Sequence, residues 1–198
     1  MQGKTHAVVG AASVLAFTTC TTLPAIATDV CFGVVGALMP DTDVKGSIGA
    51  KATKKMAIKS IVVCALFGLA VASGAITDTS FLTNWKAWIS IPLLLGLAIF
   101  GATQPHRGVM HSIPMMLLAS WLVYLLNPSY ATPFAIGYAS HLIIDLLNYK
   151  GEQLLFPLKK RFSLGLCKSD GVVNTIMLVG GALACAILVF AHLSRYGM

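Results

Sequence analysis

Several uninterrupted apolar runs in this chain approach or exceed the roughly 18 residues needed to cross a hydrocarbon core, and no other feature narrows the fold as much. In lipid every backbone N–H and C=O must be bonded within the protein, so a spanning segment is either a helix or a strand of a closed barrel. No segment alternates as a barrel strand does. The expected fold is therefore all-α. It is a polytopic transmembrane helical bundle of about six to seven helices, one a short half-helix, forming a single membrane-embedded domain over residues 1–198. Composition agrees: 11% of residues are charged and 57% hydrophobic, against about 25% charged in a soluble domain. Mean hydropathy is +0.81.

Segment by segment, the sequence predicts helices over about 5–24, 56–77, 86–102, 109–126, 132–149 and 171–193. The half-helix runs over 29–39 and is stopped by Pro40; at about 1.5 Å per residue it is too short to span. A lysine-rich loop occupies 44–55. The first helix resembles a signal peptide, with Lys4 ahead of it and Ala25-Ile26-Ala27 as a small-residue cleavage site. Cleavage would discard His6, so the segment is expected to stay as a transmembrane helix. The five cysteines (Cys20, Cys31, Cys64, Cys167 and Cys185) contain no CxxC pair, and four lie in apolar stretches. They read as single buried thiols rather than a disulfide framework.

The net charge of +7 belongs to a membrane topology rather than to nucleic-acid binding, because no domain-sized basic face exists. With the N-terminus cytoplasmic, that side receives Lys4, Lys45, Lys51, Lys54, Lys55, Lys59, Arg107, Lys150, Lys159, Lys160, Arg161 and Lys168. The outer side keeps Lys86 and Arg195. This asymmetry in short loops orients the chain N-terminus in and C-terminus out, with the 78–85 and 127–131 turns outside. Residues 150–170 mix basic and apolar side chains and are expected to lie at the cytoplasmic interface, anchored by Phe156 and Phe162.

Seven residues stand out on that topology: His6, Asp41, Asp43, His106, His111, His141 and Asp145. Four chain segments deliver all of them to the cytoplasmic leaflet, whereas His192 falls near the outer end. His141 and Asp145 lie one turn apart on one helix face. A carboxylate within GYASHLIIDLLNY is costly in lipid and requires a partner or a cavity. The lysines lie out in the loops, so a divalent cation is the natural neutraliser. Imidazole and carboxylate are ligands of zinc, manganese and iron. Three aspartates and four histidines exceed what one zinc requires, which makes one or two ions plausible, zinc first and manganese as the alternative. His6 to Asp41 spans 35 positions and His111 to Asp145 spans 34, as if two His-to-Asp hairpins surrounded a shared ion.

Thr5-His6 with its small-residue helix, LMPDTD (Leu38 to Asp43), HRGVMHS (His106 to Ser112) and GYASHLIID (Gly137 to Asp145) together resemble the YdjM family. The likeness continues through GEQLLFPLKKRFSLG (Gly151 to Gly165) and so covers nearly the whole chain. The resemblance implies a membrane-bound, metal-dependent hydrolase of the bacterial cytoplasmic (inner) membrane. It also implies a distant relation to zinc-dependent phospholipase C and the P1-type nucleases. Carried over, the metal ligands are His6, Asp41, His106, His111, His141 and Asp145, with Asp43 a ligand or a supporting group. Met110 stands where family members usually have Thr, and Asn174 where they often place a Glu.

The expected function is hydrolysis of a phosphoester, with the ions acidifying a water and clamping phosphoryl oxygens. Asp43 would orient or deprotonate that water, and Arg107 would grip a phosphate. A site in the inner leaflet ringed by lysines points to a membrane lipid or lipid-linked phosphate as substrate. The alternatives are a divalent-metal or proton transporter using the same cluster, or a membrane protein that metal merely stiffens. A transport path needs polar residues reaching the outer face, and the helices predicted over 56–77, 86–102 and 171–193 offer almost none. Ser112 and Ser140 adjoin histidines but lack a G-x-S-x-G setting; Ser112 reads as a helix start.

Overall fold

The chain is seen in a computed structural model that describes residues 1–20, 22–43 and 85–195. The lysine-rich loop over 44–55, the helix predicted over 56–77 and Cys64 lie outside the described residues. The helix boundaries follow the local capping chemistry. Helix α1 (Gly3–Phe17) ends sooner than the predicted 24, because Thr18 is extended and its hydroxyl donates back to Val14 O at 2.9 Å. Thr22 then caps α2 (Leu23–Leu38), its hydroxyl accepting the Ala25 N–H at 3.3 Å. Leu23-Pro24, at the end of the helix predicted over about 5–24, instead starts one. Proline lacks only the N–H that a first turn leaves unused. The half-helix over 29–39 is thus the later part of a longer element. With the 3₁₀ turn Pro40–Asp43 it reaches 21 residues, enough to cross a membrane.

Helix α3 covers Trp85–Thr103, α4 Ile113–Leu126, α5 Pro128–Leu146 and α6 Val172–Arg195. A 3₁₀ turn, Val109–His111, precedes α4. Ser112 caps α4, accepting from Met115 N at 3.3 Å and donating to Val109 O at 2.6 Å, as its helix-start reading requires. Asn127 both closes α4 and caps α5. The turn expected over 127–131 therefore shrinks to one residue, with Pro128 opening the next helix. Among the described residues there are no strands. Two isolated bridges, Asn148 with Cys167 and Glu152 with Phe162, fold the 147–171 segment back on itself as an extended strap.

Helix α2 lies against α1 and α5; α1 also meets α5 and α6, and α4 bridges α5 to α3. Close approach at the α2–α5 crossing depends on glycine. A Cβ on Gly137 would sit 1.9 Å from Gly33 O, and one on Gly36 would sit 2.1 Å from Phe134 O. Small residues at a crossing let helix backbones touch where lipid supplies no hydrophobic drive. Gly33 and Gly137 are 104 positions apart, the separation that also relates Asp41 to Asp145. The two His-to-Asp hairpins therefore meet near equivalent positions. The match is partial, since α1 packs on α5 while α4 and α2 make at most slight contact.

Polarity is distributed inside out. The ionisable residues singled out above are mostly buried, whereas Phe190, Ile187, Leu183 and Val172 of α6 and Trp88 and Ile99 of α3 are exposed. Leaving such a side chain in water forfeits about 1.5–3 kcal/mol. Helix α6, with mean hydropathy 2.4 and 6% of its window buried, is an element made for lipid. The described helices place Lys4, Arg107, Lys150, Lys159, Lys160, Arg161 and Lys168 at one end and Lys86 and Arg195 at the other.

Candidate metal centre

His6 in the first turn of α1, Asp41 and Asp43 in the turn after α2, His111 in the turn before α4, and His141 and Asp145 in α5 converge at the end of the bundle that carries the basic loops. His6, His111, His141 and Asp43 have no solvent exposure, and Asp145 has 1%. The His6 and His141 rings stack with centroids 3.6 Å apart. His141 Nδ1 lies 2.6 Å from Ala37 O, and His111 Nδ1 lies 2.9 Å from Asp43 Oδ2. Each contact assigns a proton to Nδ1, so in the neutral ring Nε2 is the atom left with a lone pair. Those two atoms face each other at 3.2 Å. A buried pair of Nε2 atoms at that distance needs either a proton between them or a cation beside them.

Asp43 is the hub of the outer half. Its Oδ1 lies 2.8 Å from His106 Nδ1, and its Oδ2 also accepts the Arg107 backbone N–H at 3.1 Å. A carboxylate that holds imidazoles by Nδ1 fixes their tautomer and presents Nε2, which is how metal-binding histidines are oriented. Asp43 therefore supports the ligands here. His106 is the rim of the cluster, with its side chain 33% exposed.

Asp145 is the hub of the inner half. Oδ1 contacts the Met1 amine, accepts from Asn148 Nδ2 at 2.8 Å and lies 3.2 Å from His6 Nε2. Oδ2 pairs with Arg107 Nη2 at 2.8 Å and stands 3.9 Å from His111 Nε2. Arg107 is buried, donates from Nη1 to Lys150 O and has a positive φ of 63°. In place of the phosphate grip expected of it, both terminal guanidinium nitrogens are engaged within the protein. Asp41, 8% exposed, points Oδ1 toward His141 Nε2 at 3.9 Å.

The structure adds one residue that the sequence reading missed. Glu152, in the strap, is fully buried, and neither carboxylate oxygen has a hydrogen-bond partner among the described residues. Burial, reinforced by the charge of Asp145, pushes its carboxyl up to about 9. The signal was present: Glu152 is the one acid in the otherwise basic stretch from Lys150 to Lys168. Asn174, standing where a Glu was expected, accepts from Thr5 Oγ1 at 2.8 Å and Gln2 N at 3.1 Å, so it ties α6 to α1. His192 lies at the opposite end of the bundle, 3.0 Å from Leu15 O.

The donor set fits a divalent cation. Four groups of three ligand atoms lie within 4.8 Å of one another: His6, His141 and Asp145; Asp41, His111 and His141; Asp43, His106 and His111; and His111, Asp145 and Glu152. Both ring nitrogens of His6 also lack a hydrogen-bond partner among the described residues. Buried polar atoms are normally satisfied, so such a concentration of unmet donors and acceptors is a place that an ion or water could fill.

A family model described as YdjM inner membrane protein matches residues 1–197. The uncharacterized protein YvsG of Bacillus subtilis (strain 168) is 30% identical over 114 residues, covering 56% of this chain and 69% of YvsG. No solved structure matches.

Proposed function

The chain belongs to the YdjM inner membrane protein family, and we propose that it is a membrane-embedded, metal-dependent hydrolase that cleaves a phosphoester of a lipid or lipid-linked substrate at the inner leaflet. The observation that carries this reading is the buried cluster in which Nδ1-anchored His111 and His141 turn their Nε2 atoms toward each other beside Asp145. His6, His141, Asp145, Asp41 and His111 would hold the metal, with zinc favoured by the imidazoles and manganese the alternative. When bound, such an ion supplies Lewis acidity for a phosphoryl oxygen and lowers the pKa of a water.

The chain's own residues do the positioning. Asp43 orients His106 and His111, and Arg107 holds Asp145 in place while its backbone N–H steadies Asp43. His106, at the exposed rim, faces the approach for substrate. Phe32, Leu122, Val123, Tyr130 and Phe134 fill the bundle beyond the site. That apolar plug favours a one-sided catalytic pocket over a transport path. The distant relation to zinc-dependent phospholipase C that the sequence resemblance implies would favour the phosphoester class, and the basic loops at this end favour an anionic lipid.

The test is release of a phosphorylated headgroup, or of inorganic phosphate, from anionic phospholipid vesicles containing the purified protein. We expect zinc- or manganese-dependent turnover that a chelator abolishes, added metal restores and Asp145→Ala lacks. A metal-loaded protein with no turnover on phospholipids or lipid phosphates would leave the ion a structural role. Metal flux across the vesicles would instead assign the cluster to a carrier.

A further inference from the structure

We propose that Glu152, His111 and Asp145 form a second cation position beside the one lined by His6, His141 and Asp145, with the Asp145 carboxylate bridging the two. This rests on the metal-centre reading above and goes past it in number and in ligand.

The inference comes from asking which groups of ligand atoms can be used together. Each Nε2 has one lone pair. The group Asp41, His111 and His141 takes the Nε2 atoms of both His111 and His141, and so excludes either of the groups containing Asp145. The His6–His141–Asp145 and His111–Asp145–Glu152 groups share only Asp145, whose Oδ1 also contacts the Met1 amine and Asn148 and whose Oδ2 also pairs with Arg107. Asp145 is oriented for sharing: Oδ1 lies 3.2 Å from His6 Nε2, while Oδ2 looks toward His111 Nε2 at 3.9 Å. The atoms of each group lie within 4.8 Å of one another. A carboxylate shared by two such groups is the arrangement that places two ions about 3.5–4 Å apart.

Glu152 is held where this role needs it. Its backbone exchanges two hydrogen bonds with Phe162, at 2.9 Å each, and the next residue, Gln153, donates to Arg107 O at 3.1 Å. The strap is thereby fastened to the loop that carries His106, Arg107 and His111. An acid fixed by its backbone in a closed space, with no hydrogen-bond partner among the described residues for either oxygen, stays neutral and unsatisfied unless a cation binds it. The chemistry of the two positions differs. The first offers two imidazoles and one carboxylate, which suits zinc. The second offers two carboxylates and one imidazole, a harder set that suits manganese.

The experiment loads metal-stripped, detergent-purified protein with Mn²⁺ and reads bound metal by elemental analysis and spin coupling by electron paramagnetic resonance. Wild type is expected to bind about two equivalents with a coupled spectrum. Glu152→Gln should bind about one with an isolated-ion spectrum, and Glu152→His, which restores a ligand, should recover the coupling. A wild type that saturates at one ion, or a Glu152→Gln protein that keeps the coupled pair, overturns the second position and leaves the first intact. A folded wild type that binds neither manganese nor zinc removes both. The wild-type spectrum decides whether two ions sit side by side even if Glu152→Gln does not fold.

Discussion

Removing Asp43 and removing Asp145 should have different consequences, because the two carboxylates do different work. Asp43 contacts His106 and His111 through Nδ1 and leaves their Nε2 atoms available. Asp43→Asn keeps the size but offers one acceptor oxygen where two rings need one each. We expect it to weaken metal binding about 10–100-fold, with the stoichiometry unchanged at saturation. Asp145→Ala should abolish binding, since both of its oxygens face candidate ligands. Competition titration with a chromophoric chelator separates the two cases, and equal losses in both variants would contradict the division of roles. His6, Asp41, His111, His141 and Asp145 were legible in the sequence, because charge in an apolar helix has to be explained and topology sends every such residue to one leaflet. Glu152 was not. Surrounded by Lys150, Lys159, Lys160 and Arg161, it read as part of a lipid-facing segment, and only the backbone pairing with Phe162 turns it inward. Arg107 was legible as a cation at the site, but nothing in the sequence showed that Asp145 and Lys150 O would occupy it.

At the scale of helices, the site depends on how closely α2 and α5 cross, since Ala37 O on one holds His141 on the other. Gly137→Val places a branched side chain where even a Cβ would meet Gly33 O at 1.9 Å. Overpacking of this kind costs about 1–3 kcal/mol or more, and it should both lower the thermal midpoint in detergent and weaken metal binding. Gly180→Ala in α6, where an added Cβ meets nothing within 4 Å, should leave both unchanged or raise stability by about 0.5–1 kcal/mol. Comparable damage from the two substitutions would argue against the crossing as the frame of the site. The helices themselves were largely readable from apolar run length, as α3 and α6 show. The errors fell at prolines. Pro24 and Pro128 open helices because Thr22 and Asn127 cap the turns before them. The same residue type reads as a stop when the cap is overlooked, which is how a 16-residue helix was mistaken for a half-helix.

For the molecule as a whole, polar residues inside and apolar residues outside make sense in a bilayer, and the charges at the two ends predict an N-terminus-in direction. Single cysteines placed at Lys160 and Arg195 on a cysteine-free background should react with an impermeant thiol reagent from opposite sides. Position 195 should label in intact cells and position 160 only after the inner membrane is opened; the reverse pattern would invert the topology and put the site in the outer leaflet. The central claim is that this buried cluster is a metal centre, and the zinc and manganese content of the detergent-purified protein tests it most directly. Among the described residues Arg107 pairs with Asp145, whereas Asp41 and Asp43 contact histidines and no lysine or arginine side chain. A divalent ion would supply the missing charge. The account predicts at least about one equivalent of metal per chain, lost in Asp145→Ala and in His111→Ala. A folded wild type that carries no metal and takes up none when zinc or manganese is added would contradict it, and the cluster would then be a hydrogen-bonded network of histidines and acids.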